Sequence, residues 1–203
     1  MRTKELAQSA LLIAMAMALS YLERFIPLNL VVPLPGVKLG LANIVTMFAL
    51  FFLPWRQALM ILVIRCVLGS VFGGGLSGLA MSLTGGVLAF WTMALAKRIP
   101  LFSVYGVSIL GAAAHNLGQV LAASVMMGSV YTLYYLPFLL LTGLATGMIT
   151  GTISSFTFRA LRSIPQYASA ENFFSLIFCR PSAIKQAQRR QEGKENAVSC
   201  RTS

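Results

Sequence analysis

Long apolar segments, separated by short groups of polar, glycine and proline residues, run through most of the chain. Between Leu6 and Leu161 only eight residues are charged. Crossing a hydrocarbon core of about 30 Å takes about 20 helical residues, and several of these apolar segments approach that length. No segment alternates apolar and polar residues as a barrel strand does. The pattern therefore predicts an all-α polytopic membrane protein.

The punctuation of the apolar segments predicts a bundle of about six transmembrane helices. Prolines and glycines fall between the segments, and both residue types interrupt helices. No small-residue cleavage site closes the first segment, so we expect it to be a span rather than a removable signal. The expected spans cover about 6–22, 38–53, 56–71, 76–96, 104–127 and 131–158.

Composition agrees with this interpretation. Hydrophobic residues make up 57% of the chain, charged residues 10%, and the mean hydropathy is +0.78. A soluble domain has about a quarter of its residues charged, because its surface faces water. The three cysteines, Cys66, Cys179 and Cys200, have no paired spacing, so we expect free thiols.

The character of the chain changes after Pro165. We predict a transmembrane domain over residues 1–163 and a basic, largely disordered cytoplasmic tail over residues 164–203. Such a tail is expected to lie near the anionic headgroups of the lipid bilayer. No nucleic-acid-binding module accompanies its charges, so we expect no nucleic-acid partner.

The distribution of positive charge predicts an orientation. With the N-terminus in the cytoplasm, seven basic residues of the transmembrane domain fall inside and two outside, which is the bias seen in membrane proteins. We therefore expect a multi-pass protein with both termini in the cytoplasm. The inside residues are Arg2, Lys4, Arg56, Lys97, Arg98, Arg159 and Arg162, and the outside residues are Arg24 and Lys38.

Arg65 is the most informative polar residue within a span, because a charge inside the membrane is costly and usually functional. It follows Arg56 by nine residues, which places it about 13 Å along the third helix. It could instead snorkel or pair structurally. The spans contain no aspartate, and their only glutamate, Glu23, lies at an end. We therefore expect a ligand anion or helix C-terminal carbonyls to compensate Arg65.

A second polar group lies on the fifth helix, where His115 and Gln119 are one turn apart and Asn116 points about a quarter-turn away. In the predicted orientation these residues share the outer half of the membrane with Lys38 and Asn43. The pattern predicts a substrate pocket open to the outside. The alternative is interhelical hydrogen bonding that holds the bundle together. His115 is the only histidine, so we expect no metal site, and we expect no cofactor either.

Small residues recur at every fourth position in the first and sixth spans, and two glycines are adjacent in the fourth. Ala10, Ala14 and Ala18 stand at every fourth position of the first span, a period that lets two helices approach closely. This stripe is either a docking face for a partner or a contact within the bundle. For Gly85-Gly86 in the fourth span, and for Gly143, Gly147 and Gly151 in the sixth, we expect internal packing.

Three motifs together resemble a known family. The string Pro35-Gly36-Val37-Lys38-Leu39-Gly40-Leu41-Ala42-Asn43-Ile44, the lone Arg65, and the later Leu76-Ser77-x-x-Met81-Ser82-x-x-Gly85-Gly86 are similar to the Gx transporter family. Members of that family often carry the description heptaprenyl diphosphate synthase component I. The resemblance covers about residues 5–160.

That family in turn resembles the substrate-binding S components of energy-coupling-factor transporters, which are six-helix bundles. The resemblance implies that Ala10, Ala14 and Ala18 dock on a transmembrane energising subunit driven by cytoplasmic ATPases. It also implies a small-molecule substrate bound near the outer face, under a loop at about 24–37. We accordingly expect the bacterial cytoplasmic (inner) membrane as the location. The predicted site residues are Lys38, Asn43, Arg65, His115, Asn116 and Gln119.

The acidic residues of this chain are not those that a catalytic prenyl diphosphate synthase requires. Prenyl diphosphate synthases hold Mg²⁺ through aspartate-rich motifs, whereas this chain has no aspartate and only five glutamates. It also lacks a phosphate-binding loop for ATP hydrolysis. We predict a non-enzymatic subunit that binds a small, anionic metabolite or micronutrient for uptake. A non-catalytic membrane component of the synthase is the alternative.

Overall fold

The computed structural model describes residues 3–25, 38, 40–99 and 102–161. Over these residues the chain is helical and contains no strand, which confirms the all-α prediction. The long helices follow the apolar segments because helices satisfy every backbone hydrogen bond internally, as the membrane interior requires. The described α-helices are α1 (Thr3–Leu22), α2 (Asn43–Phe52), α3 (Trp55–Gly69), α4 (Gly75–Ala96), α5 (Val104–Met127) and α6 (Leu136–Leu161).

Five of the six helical segments are long and apolar enough to cross a membrane, and α2 is the exception. With ten residues, α2 spans only about 15 Å. The expected second span began at Lys38, so its predicted start was wrong. Gly40 has a φ of +85°, which places it in the left-handed region. The chain turns there, and the Asn43 amide donates to the Gly40 carbonyl oxygen (2.9 Å) as the helix begins.

Two other boundaries differ from the sequence pattern by one or two turns. A π-helical segment, Ser70–Gly74, continues α3, and the break falls at Gly75, whose φ is +61°. A 3₁₀ segment, Val130–Tyr135, precedes α6, and its exposed Tyr131 and Tyr134 rings stack with centroids 6.1 Å apart. The predicted domain boundary at 163 and the basic tail lie outside the described residues.

Glycines allow α4, α5 and α6 to pack closely. A Cβ added at Gly118 of α5 would lie 2.7 Å from the Gly85 Cα of α4. On α6, a Cβ added at Gly143 would lie 2.7 Å from Asn116 of α5. A Cβ added at Gly147 would lie 2.7 Å from Ile109, and one at Gly151 would lie 3.0 Å from Tyr105. Gly86 faces Leu62 of α3. The prediction that the glycines of the fourth and sixth spans serve internal packing is therefore confirmed.

Substituting Gly118 by alanine should destabilise the bundle, because the added methyl group meets backbone atoms that cannot rotate away. Overpacking of this kind costs about 1–3 kcal/mol. The measurement is the unfolding temperature in detergent. Gly78→Ala on α4 is the matched control, because among the described residues outside its own stretch of helix no atom lies within 4 Å of the added Cβ. Equal unfolding temperatures for the two variants would contradict the close crossing of α4 and α5.

The two ends of the bundle differ in chemistry. At one end, the Lys97 ammonium donates to the Leu50 carbonyl oxygen near the C-terminus of α2 (2.9 Å) and lies 4.9 Å from the Phe51 ring centroid. Burial lowers the pKa of Lys97. A buried core that includes Met47, Ile61 and Phe90 lies between the ends. The opposite end carries the predicted site.

Candidate ligand-binding site

Arg65 and Asn43 form the centre of the site. Arg65 lies near the end of α3 and is only 7% exposed, and Asn43 is the first residue of α2. The Arg65 Nη2 donates to the Asn43 Oδ1 at 3.0 Å. Within the described residues, the Arg65 Nε and the Asn43 Nδ2 have no hydrogen-bond partner. The pair therefore retains two buried donors.

Lys38 is anchored on α4 and α5 by hydrogen bonds from both its backbone and its side chain. Its amide donates to the Gln119 Oε1 at 3.3 Å, and its ammonium donates to the Ser82 Oγ at 3.2 Å. Gln119 and His115, both buried, lie one turn apart on α5 with 3.0 Å between Nε2 atoms. Ser82 was not among the predicted site residues, although it belongs to one of the family motifs.

Glu23, immediately after α1, brings a carboxylate to the same place. It is 5% exposed, and its Oε1 accepts a hydrogen bond from the Leu41 amide. Burial raises the pKa of Glu23, and this effect is opposed by the Leu41 and Gly40 amides and by the positive charges of Arg65 and Lys38. The carboxylate is thus held by the turn that precedes α2.

The position of Glu23 corrects one inference from the sequence. Arg65 was expected to have no carboxylate near it, because Glu23 lies at the end of a span. That inference was wrong, since the turn at Gly40 carries the start of α2 back to the end of α1. The signal was present in the sequence, because Glu23 ends the first span on the same side as Lys38.

A cavity of about 20 Å³ lies among these side chains. That volume holds one or two waters, whereas small-molecule sites usually measure about 300–1,000 Å³. A metabolite therefore enters only if some of these contacts open. The polar residues that line the cavity are Ser20, Glu23, Lys38, Arg65, Ser82 and His115, with Gly40, Ala42, Cys66 and Gly69 between them.

Asn116 does not join this cluster. Its Nδ2 donates to the Leu139 carbonyl oxygen of α6. A Cβ added at Gly143 of α6 would lie only 2.7 Å from the same Nδ2 atom. Asn116 therefore links α5 to α6, and the geometry favours the structural alternative for this residue. Lys38, Asn43, Arg65, His115 and Gln119 are brought together as expected; their role in binding remains a prediction.

The alanine stripe of α1 faces outward. Ala10, Ala14 and Ala18 are all exposed, so contacts within the described bundle do not explain their spacing. Ala18 also lines an apolar groove of about 800 Å³ between α1, α2 and α6. The stripe and the groove therefore adjoin on α1 at Ala18.

Within the described residues, no three His, Cys, Asp or Glu side chains are grouped as metal ligands.

Comparison with known proteins identifies the family. No curated protein and no solved structure matches the chain significantly. The profile of one family, described as heptaprenyl diphosphate synthase component I, matches residues 12–157, which is well over half of the chain. The chain therefore belongs to the heptaprenyl diphosphate synthase component I family, as the sequence motifs predicted.

Proposed function

We propose that this protein is a substrate-binding membrane subunit for uptake of a small anionic metabolite. The observation that carries the proposal is the cationic cluster at one end of the bundle, where Arg65 and Lys38 line a cavity whose described lining contains one carboxylate, Glu23. Each of these groups comes from a different segment of the chain. This convergence of charged groups from three segments supports a binding role for the cluster.

The charges favour an anion. An arginine guanidinium stays protonated in proteins. With Lys38 also charged and Glu23 ionised, the described residues that line the cavity carry one positive charge in excess. A buried charge without full compensation is costly in a membrane, so an anionic ligand stabilises the cluster more than a neutral one.

Hydrogen-bond donors in the cluster would orient the ligand. The Arg65 Nε and the Asn43 Nδ2 are buried donors without described partners. Lys38 donates to the hydroxyl of Ser82, a neutral acceptor. An anionic oxygen attracts the Lys38 ammonium more strongly than a neutral hydroxyl does, because two opposite charges in contact gain Coulomb energy. We propose that the ligand takes the place of Ser82 at Lys38 and thereby opens the cavity.

Energy would come from a partner. The chain has no phosphate-binding loop of its own. The exposed stripe of Ala10, Ala14 and Ala18, beside the apolar groove, supports docking of a transmembrane energising subunit coupled to cytoplasmic ATPases. Small residues at this spacing permit close approach of a partner helix. The protein would capture the metabolite, and the partner would drive its passage.

The experiment for the proposed site compares wild type with Lys38→Ala, using sulfate as the anion. Loss of one charge-assisted hydrogen bond should lower sulfate affinity about tenfold or more. Isothermal calorimetry on protein in lipid nanodiscs gives the affinity. Arg98→Ala is the control, because Arg98 is exposed just beyond the end of α4. Equal affinities for wild type and Lys38→Ala would contradict the assignment of Lys38.

The family match supports a second candidate function, a non-catalytic membrane component that acts with a heptaprenyl diphosphate synthase. The test adds this protein in nanodiscs to a soluble prenyl diphosphate synthase and measures product length and rate. A reproducible change that empty nanodiscs do not cause supports this candidate. Unchanged products, together with sulfate binding at the cluster, support the uptake subunit.

A further inference from the structure

Glu23 is a buried carboxylate within the cluster that the proposed function assigns to an anion. It lines the same cavity as Arg65 and Lys38, and its Oε1 is held by the Leu41 amide. The cavity measures only about 20 Å³, so an anion bound by the two cations would stand beside this carboxylate. Two negative charges in contact at a buried site repel each other strongly.

We propose that anion binding at Arg65 and Lys38 is coupled to uptake of one proton by Glu23, so that the protein binds an anion and a proton together. This inference rests on the proposed function and adds its coupling. The Glu23 carboxylate takes a proton from water on the side of the membrane that the cavity faces and becomes a neutral carboxyl. Before the anion binds, Arg65 and Lys38 stabilise the Glu23 carboxylate. After Glu23 is protonated, the attraction of these two cations is directed to the ligand.

The resting state of Glu23 agrees with this arrangement. Burial raises the pKa of Glu23, and the two cations with the Leu41 and Gly40 amides work against that rise. An anion that engages the cations weakens their stabilisation of the Glu23 carboxylate. The pKa of Glu23 therefore rises further when the anion binds. Because linkage is reciprocal, protonation of Glu23 must strengthen anion binding by the same factor.

Other titratable groups face Glu23 and have to be separated from it. Arg65 and Cys66 come from α3, His115 comes from α5, and Lys38 comes from the segment before α2. In the part of the chain that the structure describes, α4 contributes Ser82 to the cavity and α1 contributes Ser20, and neither hydroxyl titrates in the usual range. Glu23→Gln removes the titratable carboxyl group at this position and leaves the other titratable groups in place. The glutamine oxygen still accepts from the Leu41 amide, so the substitution preserves the turn.

Sulfate serves as the probe, because its charge stays constant through neutral and mildly acidic pH. Calorimetry on protein in nanodiscs measures its affinity at several pH values. In wild type, affinity should rise as the pH falls through the pKa of Glu23, by at most about tenfold per pH unit for one coupled proton. Glu23→Gln should bind more tightly at high pH and show no such dependence. Glu5→Gln, at the other end of α1, should behave as wild type.

A second measurement uses the wild-type protein alone. Calorimetry in buffers with different ionisation enthalpies counts the protons taken up, and we expect up to about one per sulfate bound. Sulfate binding that needs Arg65 but takes up no proton overturns the coupling and leaves the anion site intact. Absence of sulfate binding in wild type and in Glu23→Gln overturns both the site and the coupling.

Discussion

Replacing Arg65 by alanine should abolish anion binding while leaving the protein folded in the membrane. Arg65 is buried, lines the cavity and keeps one donor, its Nε, without a described partner. Truncating one member of a buried, hydrogen-bonded charge pair costs about 2–5 kcal/mol, which is a loss of about 30-fold or more in affinity. Calorimetry with sulfate in nanodiscs measures the loss.

The control for Arg65 lies on the same helix. Arg56 is exposed at the start of α3, beside Trp55, so Arg56→Ala should bind sulfate as wild type does. The alanine at position 65 also leaves Asn43 without its partner, and the unfolding temperature without sulfate measures this structural cost separately. Unchanged sulfate affinity in Arg65→Ala would show that the cluster is a structural ion network.

Enlarging Ala14 to leucine should block uptake and spare ligand binding. Ala14 is exposed in the middle of the α1 stripe, so the larger side chain disturbs nothing in the described bundle. Against a closely packed partner helix, the added carbons would cost about 1–3 kcal/mol and reduce uptake about tenfold. The measurement is cellular uptake of whichever metabolite is retained by the purified wild-type protein.

Ala145→Leu on α6 is the matched control for the docking face. Ala145 is also exposed but lies outside the apolar groove, so the same substitution there should leave uptake unchanged. Both variants should bind sulfate with wild-type affinity. Normal uptake by Ala14→Leu would exclude the α1 stripe as the docking face, and impaired uptake by both variants would indicate a general effect of surface enlargement.

The helices were predictable from the sequence because their signals are local. Apolar length gave the all-α bundle, and glycine or proline gave most of the breaks. The α5 helix was predicted to its final residues, because Ser103 caps its start and Gly128, with φ +59°, ends it. The shortness of α2 was not predictable in the same way. It depends on the left-handed turn at Gly40, which hydropathy does not report.

The site was only partly predictable, because its contacts join residues far apart in sequence. Counting residues along each helix predicts that Lys38, Arg65 and His115 lie at a similar depth in the membrane. These three residues do line one cavity. The neighbouring helix toward which a side chain points was not predictable from this count. Asn116, one residue after His115, points to α6 instead. Glu23 was missed because a carboxylate at a span end usually lies in solvent, whereas the turn before α2 buries this one.

The most direct test identifies the small molecules that stay bound to the gently purified protein. Mass spectrometry of an extract from wild-type protein should find one anionic or zwitterionic metabolite, at about one molecule per chain. The same metabolite should be absent from Arg65→Ala and present on Arg56→Ala. A cluster that retains no metabolite, or a metabolite retained equally by Arg65→Ala, would contradict the proposal that this membrane protein captures an anion through Arg65.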